Sequence, residues 1–99
     1  MKKKRIVVTG MGLVSCFGNE VEHFYKTLLE GKSGVKKIAA FPTEEFTTKI
    51  AAEIPEFDVG DALDKKQARR VDKFIVYAMV AGKNALKMAG LKSDASNEI

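Results

Sequence analysis

Three groups of residues have the types and spacing that chemistry requires. Gly10 and Gly12 follow a β-branched run, as in turns that bring backbone N–H groups close to a phosphate. Cys16 and His23 are the one cysteine and the one histidine of the chain, a thiol and an imidazole of the kind used in nucleophilic catalysis. A cluster of cations follows later, and its members are Lys65, Lys66, Arg69, Arg70 and Lys73.

The glycine pair matches the dinucleotide-binding fingerprint poorly. That fingerprint is G-x-G-x-x-G, and Ser15 occupies the position of the third glycine. The next helix is predicted to begin only after Asn19, too late to hold a phosphate beside the glycines. We therefore expect Gly10 and Gly12 to permit a sharp bend and close packing.

The cysteine and the histidine form a weak catalytic pair. Cys16 shortly precedes a predicted helix N-terminus, a position that favours thiolates in proteins. However, His23 is its single candidate base, and we expect His23 among charged residues on the solvent side of that helix. We therefore predict a buried, inert Cys16. One cysteine and one histidine also cannot form an internal disulfide or a structural zinc site.

The cations suggest an acidic partner. A single helix would place Lys66, Arg69, Arg70 and Lys73 on one face, at positions i, i+3, i+4 and i+7. Cations near the positive N-terminal end of a helix each cost roughly 0.3–1 kcal/mol. An acidic protein helix, a phosphate group or a nucleic acid would offset this cost, although the charged face has no aromatic residues for nucleic acid to stack on. The alternative is an ordinary solvated face.

The first half of the chain is predicted to alternate strand and helix. Residues 5–9 are typical of a buried strand. A helix is predicted from Asn19, with Glu22 completing a capping box, to Gly31. Strands are predicted near residues 35–38 and 47–54. The helix should bury one apolar stripe, formed by Val21, Phe24, Tyr25, Leu28 and Leu29.

The second half is predicted to be a long helix. It begins at Asp64, where Gln67 repeats the capping pattern, and continues to about Met88 before Gly90. Asp72 is an alternative cap for a second helix after a kink. Residues 74–81 are apolar all round, which is typical of an enclosed helix, and the other elements are too few to surround them. The chain therefore resembles an α/β unit of something larger.

Composition excludes several protein classes. The chain has 99 residues, 45% of them hydrophobic and 30% charged, which is typical of one small soluble domain. No run approaches the roughly 18 apolar residues of a membrane-spanning helix. A lipoprotein signal remains an alternative, because a basic start precedes the lipobox-like residues 13–16. Thr9, Gly10 and Gly12 interrupt the apolar stretch that such a signal needs.

The order and spacing of seven motifs resemble the opening of the β-ketoacyl-acyl carrier protein synthases, the condensing enzymes of fatty acid synthesis. The synthase II branch is the most similar, because of TKIA and RRVD. The motifs are RIVVTGMGLVS (5–15), FGN (17–19), LLEGKSG (28–34), FPT (41–43), TKIA (48–51), KQARRVDKF (66–74) and AGL (89–91).

This resemblance implies that residues 1–99 form an incomplete N-terminal portion of a thiolase-like fold with stacked α, β, α, β, α layers. It also implies a cytoplasmic homodimer that uses acyl and malonyl thioesters and no cofactor, and that binds neither nucleic acid nor membrane. The family's catalytic cysteine and two histidines are expected beyond residue 99, so Cys16 is not the nucleophile. The chain alone should be inactive.

The resemblance assigns the cations a partner, the acyl carrier protein. The corresponding docking positions are Lys66, Arg69 and Arg70, with Lys65 contributing, whereas the role of Lys73 remains open. Three alternatives remain: a non-catalytic paralogue such as a chain-length factor, a carrier-binding module that folds alone, or a lipoprotein.

Overall fold

The structure is a computed structural model that describes residues 3–60 and 62–91. The chain divides into two compact units. The middle unit is Val14–Asp58, and the outer unit combines Met1–Leu13 with Val59–Ile99. The elements in chain order are α1 (Val21–Leu29), β1 (Lys36–Lys37), β2 (Ile50–Ala51), α2 (Lys65–Arg70) and α3 (Lys73–Ala89).

In the middle unit, a tight turn precedes α1. Ser15 and Gly18 exchange backbone hydrogen bonds of 2.8 and 3.0 Å, and Gly18 has a φ of +93°. Glu20 follows the turn with extended backbone angles and is the N-cap of α1. Its side chain makes no capping bond. The predicted capping box from Asn19 to Glu22 is therefore wrong, and α1 begins one residue later than expected.

The end of α1 is where the sequence predicts it. Gly31 adopts a left-handed φ of +72° and donates its N–H to the Leu28 carbonyl at 3.0 Å. The Lys32 N–H reaches the Thr27 carbonyl at 3.3 Å. These two bonds form a Schellman motif, which satisfies carbonyls that the last helical turn leaves open.

The apolar stripe of α1 is only partly covered. Val21 and Phe24 are half-buried, and the Phe24 ring lies 6.3 Å from that of Phe17. Three further members of the stripe are exposed in this chain: Tyr25, Leu28 and Leu29. The prediction of one continuous buried stripe is therefore wrong for these three residues.

The strands of the middle unit are shorter than predicted. β1 and β2 pair antiparallel, with Lys36 opposite Ala51. Beyond the pair, the two carboxylate oxygens of Glu53 accept hydrogen bonds from Ala39 N at 2.8 Å and Ala40 N at 3.1 Å. This bidentate contact fixes the chain where it leaves β1.

In the outer unit, the predicted first strand does not form. Residues 5–9 pair with no described residue, and Ile6 is 93% exposed. A β ladder requires a neighbouring strand, which residues 3–60 and 62–91 do not supply. The prediction of a buried strand at residues 5–9 is therefore wrong for this chain.

The glycines that follow pack tightly on α3. A Cβ atom on Gly10 would lie 2.8 Å from Ala89 N, and one on Gly12 would lie 2.8 Å from the Ala81 carbonyl carbon. Cβ atoms do not approach backbone atoms so closely, so only glycine allows this contact. The expected close packing at both glycines is confirmed.

Two helices, not one, cover residues 65–89. Val71 interrupts them with extended backbone angles, φ −115° and ψ 156°. α3 then begins with Asp72 as its N-cap, without a side-chain capping bond, and ends at left-handed Gly90 with φ +74°. The alternative of a second helix starting at Asp72 is therefore correct, and the prediction of one long helix is wrong.

The core of the outer unit is small. Val80 is 2% exposed and Ala62 is 8% exposed, whereas Phe74 is 69% exposed. The described part of the chain therefore does not enclose residues 74–81. In residues 3–60 and 62–91, no helix has the length and apolar content needed to cross a bilayer.

Candidate functional site

The candidate site is the surface formed by four cations of α2, called here the basic surface: Lys65, Lys66, Arg69 and Arg70. Arg69 is four positions after Lys65 and three after Lys66, and Arg70 is four positions after Lys66, so the four side chains lie on one side of α2. All four are exposed. The structure thus brings together the four predicted site residues.

A local cap positions the basic surface. Asp64 is the N-cap of α2, and its Oδ1 accepts a hydrogen bond from Gln67 N at 2.6 Å. This is the geometry that the D-x-x-Q spacing predicts. The Asp64 carboxylate also lies at the positive end of the helix, beside Lys65, and offsets part of the cost of cations there.

The basic surface carries positive charge that no described ion pair neutralises. The first turn of α2 contains no acidic residue. Among the residues that the structure describes, none forms an ion pair with any of the four cations. By contrast, Lys32 of the middle unit lies 2.9 Å from a Glu30 oxygen, and this hydrogen-bonded carboxylate raises the pKa of Lys32. The four cations of α2 are therefore available to an acidic partner.

Lys73 does not belong to this surface. The sequence places Lys73 on the same helical face as Lys66, but only if one helix continues through residue 71. Val71 is extended, so Lys73 is the first residue of α3 and not the third turn of α2. The predicted i+7 relation is therefore wrong.

The cysteine and the histidine border one open cleft of the middle unit, with a volume of about 870 Å³. Cys16 is half-buried with its Sγ directly against Gly34, and His23 is exposed. No hydrogen bond joins Cys16 to His23. Cys16 therefore lacks the adjacent base that activates a nucleophilic thiol in a catalytic pair.

The glycine turn also lacks a ligand site. Gly10 and Gly12 lie against the backbone of α3, which leaves no space there for a phosphate. Across residues 3–60 and 62–91, no cluster of three or more His, Cys, Asp or Glu side chains has the arrangement to hold a metal ion. The basic surface is therefore the strongest site that the described residues offer.

Comparison with known proteins gives the family. The sequence model of "Beta-ketoacyl synthase, N-terminal domain" matches residues 3–98, almost the whole chain. The chain belongs to the β-ketoacyl synthase family. The resemblance found in the sequence motifs is thereby confirmed.

Curated β-ketoacyl synthases match along most of this chain. The chloroplastic 3-oxoacyl-[acyl-carrier-protein] synthase I of Arabidopsis thaliana is 45% identical over 97 residues, which are 98% of this chain and 20% of the relative. The 3-oxoacyl-[acyl-carrier-protein] synthase 2 of Coxiella burnetii is 43% identical over 98% of this chain and 23% of the relative. The chain thus spans about a fifth of the length of these relatives.

Solved β-ketoacyl synthase structures share its backbone. The ishigamide ketosynthase/chain length factor superposes with a TM-score of 0.74 and 34% identity, over 89% of this chain and 22% of that one. A β-ketoacyl synthase from Burkholderia phymatum gives a TM-score of 0.72 and 29% identity, over 95% of this chain and 23% of that one. The chain is therefore an α/β unit with a backbone similar to part of these two structures.

Sequence reasoning identified the four cations but missed one member of the site. The D-x-x-Q spacing predicts Asp64 as a helix cap, but it does not by itself indicate that this cap orders the turn carrying the cations. The signal was present, since an N-cap residue immediately precedes Lys65 and Lys66 in the sequence.

Proposed function

We propose that this chain is the N-terminal part of a 3-oxoacyl-[acyl-carrier-protein] synthase of the synthase II type. The carrying observation is the match to curated proteins of that name, with identities of 43% and 44% over 98% of this chain. The TKIA and RRVD motifs favour the same branch.

The proposed reaction is a decarboxylative Claisen condensation that elongates acyl chains in fatty acid synthesis. An acyl group moves from the carrier protein to a cysteine thiol and forms a thioester. A malonyl thioester then loses carbon dioxide, and the resulting enolate carbon attacks the acyl carbonyl. A carbon–carbon bond forms, and the cysteine thiolate leaves.

The 99 residues by themselves should not catalyse this condensation. The family uses one cysteine and two histidines, and this sequence contains a single histidine. Its cysteine, Cys16, is half-buried against Gly34, apart from any base that would activate it. We therefore place the catalytic residues outside this chain.

The proposed role of the basic surface is to dock the acyl carrier protein. Its four cations are exposed and close together, and no described carboxylate pairs with them. Such a surface speeds the encounter with an acidic partner and sets its orientation more than it adds raw affinity. The interaction should therefore weaken as salt is added.

Binding of the carrier to this chain tests the proposal. ¹⁵N-labelled acyl carrier protein is titrated at low salt with the wild-type chain and with a variant carrying Arg69→Glu and Arg70→Glu. Reversal of two contacting charges should weaken binding about tenfold.

A second pair of exposed lysines provides a matched control. Lys36→Glu with Lys37→Glu, in β1, changes the net charge by the same amount, from +4 to 0. This control should bind within about twofold of the wild type, because its charges lie outside the docking surface. Equal weakening by both double variants would show that only net charge matters and would contradict the docking proposal.

A non-catalytic, chain-length-factor-like paralogue is the second candidate. It is favoured by the superposition on the ishigamide ketosynthase/chain length factor, with a TM-score of 0.74. The two candidates differ at the nucleophile position of the whole protein, where a cysteine supports the synthase and another residue supports the paralogue. For the whole synthase, the proposal also includes a layered αβαβα architecture, a homodimer and a cytoplasmic location.

A further inference from the structure

Asp64 connects the fold of α2 with the charge of the basic surface. Its Oδ1 lies 2.6 Å from Gln67 N, inside the first turn. It also directly precedes Lys65 in the sequence, so its negative charge lies next to the first cation of the surface. It therefore affects both the conformation and the electrostatics of the surface.

α2 has little else to keep it helical. It contains six residues, and none of them is buried. Isolated helices of this length are unstable in water, and helices in proteins usually depend on a packed face. Beyond Arg70 the backbone turns extended at Val71, so α3 does not continue the helix. The capping bond from Asp64 is therefore a main local contribution to the first turn.

The same carboxylate opposes an acidic partner. An anion at this position offsets the positive helix end and the neighbouring lysines, which favours the folded turn. It also adds a negative charge at the edge of a surface that would attract negative side chains. The two effects separate in Asp64→Asn, because asparagine caps about as well as aspartate and carries no charge.

We propose that Asp64 is a positioning residue of the basic surface: it holds the first turn of α2 so that the four cations face one partner together, while its charge limits their attraction. This inference rests on the proposed docking of an acidic carrier protein. It makes Asp64 a determinant of affinity without direct contact with the partner.

Two substitutions at position 64 test the inference in the same carrier titration. Asp64→Asn and Asp64→Ala remove the same charge, but only asparagine keeps the cap. We expect Asp64→Ala to bind the carrier about fivefold more weakly than Asp64→Asn. We also expect Asp64→Asn to bind more tightly than the wild type at low salt, by about two- to threefold, with the difference disappearing at high salt.

Amide hydrogen exchange at Gln67 provides a second measurement that needs no partner. Exchange should be faster in Asp64→Ala than in Asp64→Asn, since alanine cannot accept the hydrogen bond. Equal carrier affinity of the two variants, or equal exchange at Gln67, would overturn the inference. If the Arg69→Glu, Arg70→Glu variant binds the carrier as tightly as the wild type, the proposed function is overturned instead. The comparison of Gln67 amide exchange between Asp64→Ala and Asp64→Asn would still decide whether Asp64 holds the first turn of α2.

Discussion

Replacing Gly12 with alanine should loosen the contact between residues 10–13 and α3. The new Cβ would lie 2.8 Å from the Ala81 carbonyl carbon and 3.0 Å from Ala85 N. Both are backbone atoms within a helix, so neither can rotate away as a side chain can. The φ of Gly12 is not positive, so the steric contact and not backbone strain determines the effect.

The expected magnitude follows from two opposing terms. Overpacking of a close contact costs about 1–3 kcal/mol. Replacing glycine with alanine also restricts the unfolded chain, which returns about 0.4–1 kcal/mol. We therefore expect the free energy of local opening of α3 to fall by about 1–2 kcal/mol, which raises the equilibrium constant for opening about five- to thirtyfold.

Gly82 is a matched control in the same helix. A Cβ there would meet nothing within 4 Å. Alanine in a helix interior is favoured over glycine by about 0.5–1 kcal/mol, so Gly82→Ala should stabilise α3. The same chemical change is thus expected to have opposite signs at the two positions.

Amide hydrogen exchange of residues 80–86, followed by NMR, measures local opening of α3. Gly12→Ala should accelerate exchange five- to thirtyfold by the estimate above, and Gly82→Ala should slow it. If Gly12→Ala exchanges at or below the wild-type rate, the close approach of the glycines to α3 does not constrain the helix and the reasoning fails.

Two further predictions concern the middle unit. Gly34→Ala should destabilise this unit, because the new Cβ would lie 3.1 Å from the Cys16 Cβ and in contact with Sγ. In a double-mutant cycle measured by chemical denaturation, Cys16→Ala should recover part of the lost free energy of unfolding. Strictly additive effects of the two substitutions would refute the contact. Glu53→Ala should accelerate hydrogen exchange of the Ala39 and Ala40 amides by about tenfold, because both amides lose their acceptor. Glu53→Gln should have a smaller effect, because its side chain keeps one acceptor oxygen. Equal acceleration by the two substitutions would be inconsistent with the bidentate contact.

Features with local causes were the most predictable from the sequence. The Asp64 cap depends on residues three positions apart, and the helix ends at Gly31 and Gly90 depend on single left-handed glycines. The four cations of the basic surface fall within six residues, so their shared face requires only that α2 forms. These predictions need no knowledge of distant contacts.

Features with distant causes were predicted wrongly. Residues 5–9 have the composition of a strand, but a strand also needs a partner for its backbone groups, and composition does not supply one. The break at Val71 has no proline or glycine to mark it, and periodicity alone extends the helix through it to Lys73. Asp72, whose residue type is common at N-cap positions, is the only local indication of two helices.

The register of the glycines on α3 has a practical consequence. Gly12 lies against Ala81 and Ala85, and Gly10 lies one turn further along, against Ala85 and Ala89. The segment therefore runs antiparallel to a helix of 17 residues, about 25 Å long at 1.5 Å per residue. From Gly12 to Gly10 the segment moves toward the carboxyl end of α3, away from Asp72, the N-cap that follows α2 in the chain. A resin or biotin anchor attached before Gly10 therefore avoids the stretch of chain that carries the cations.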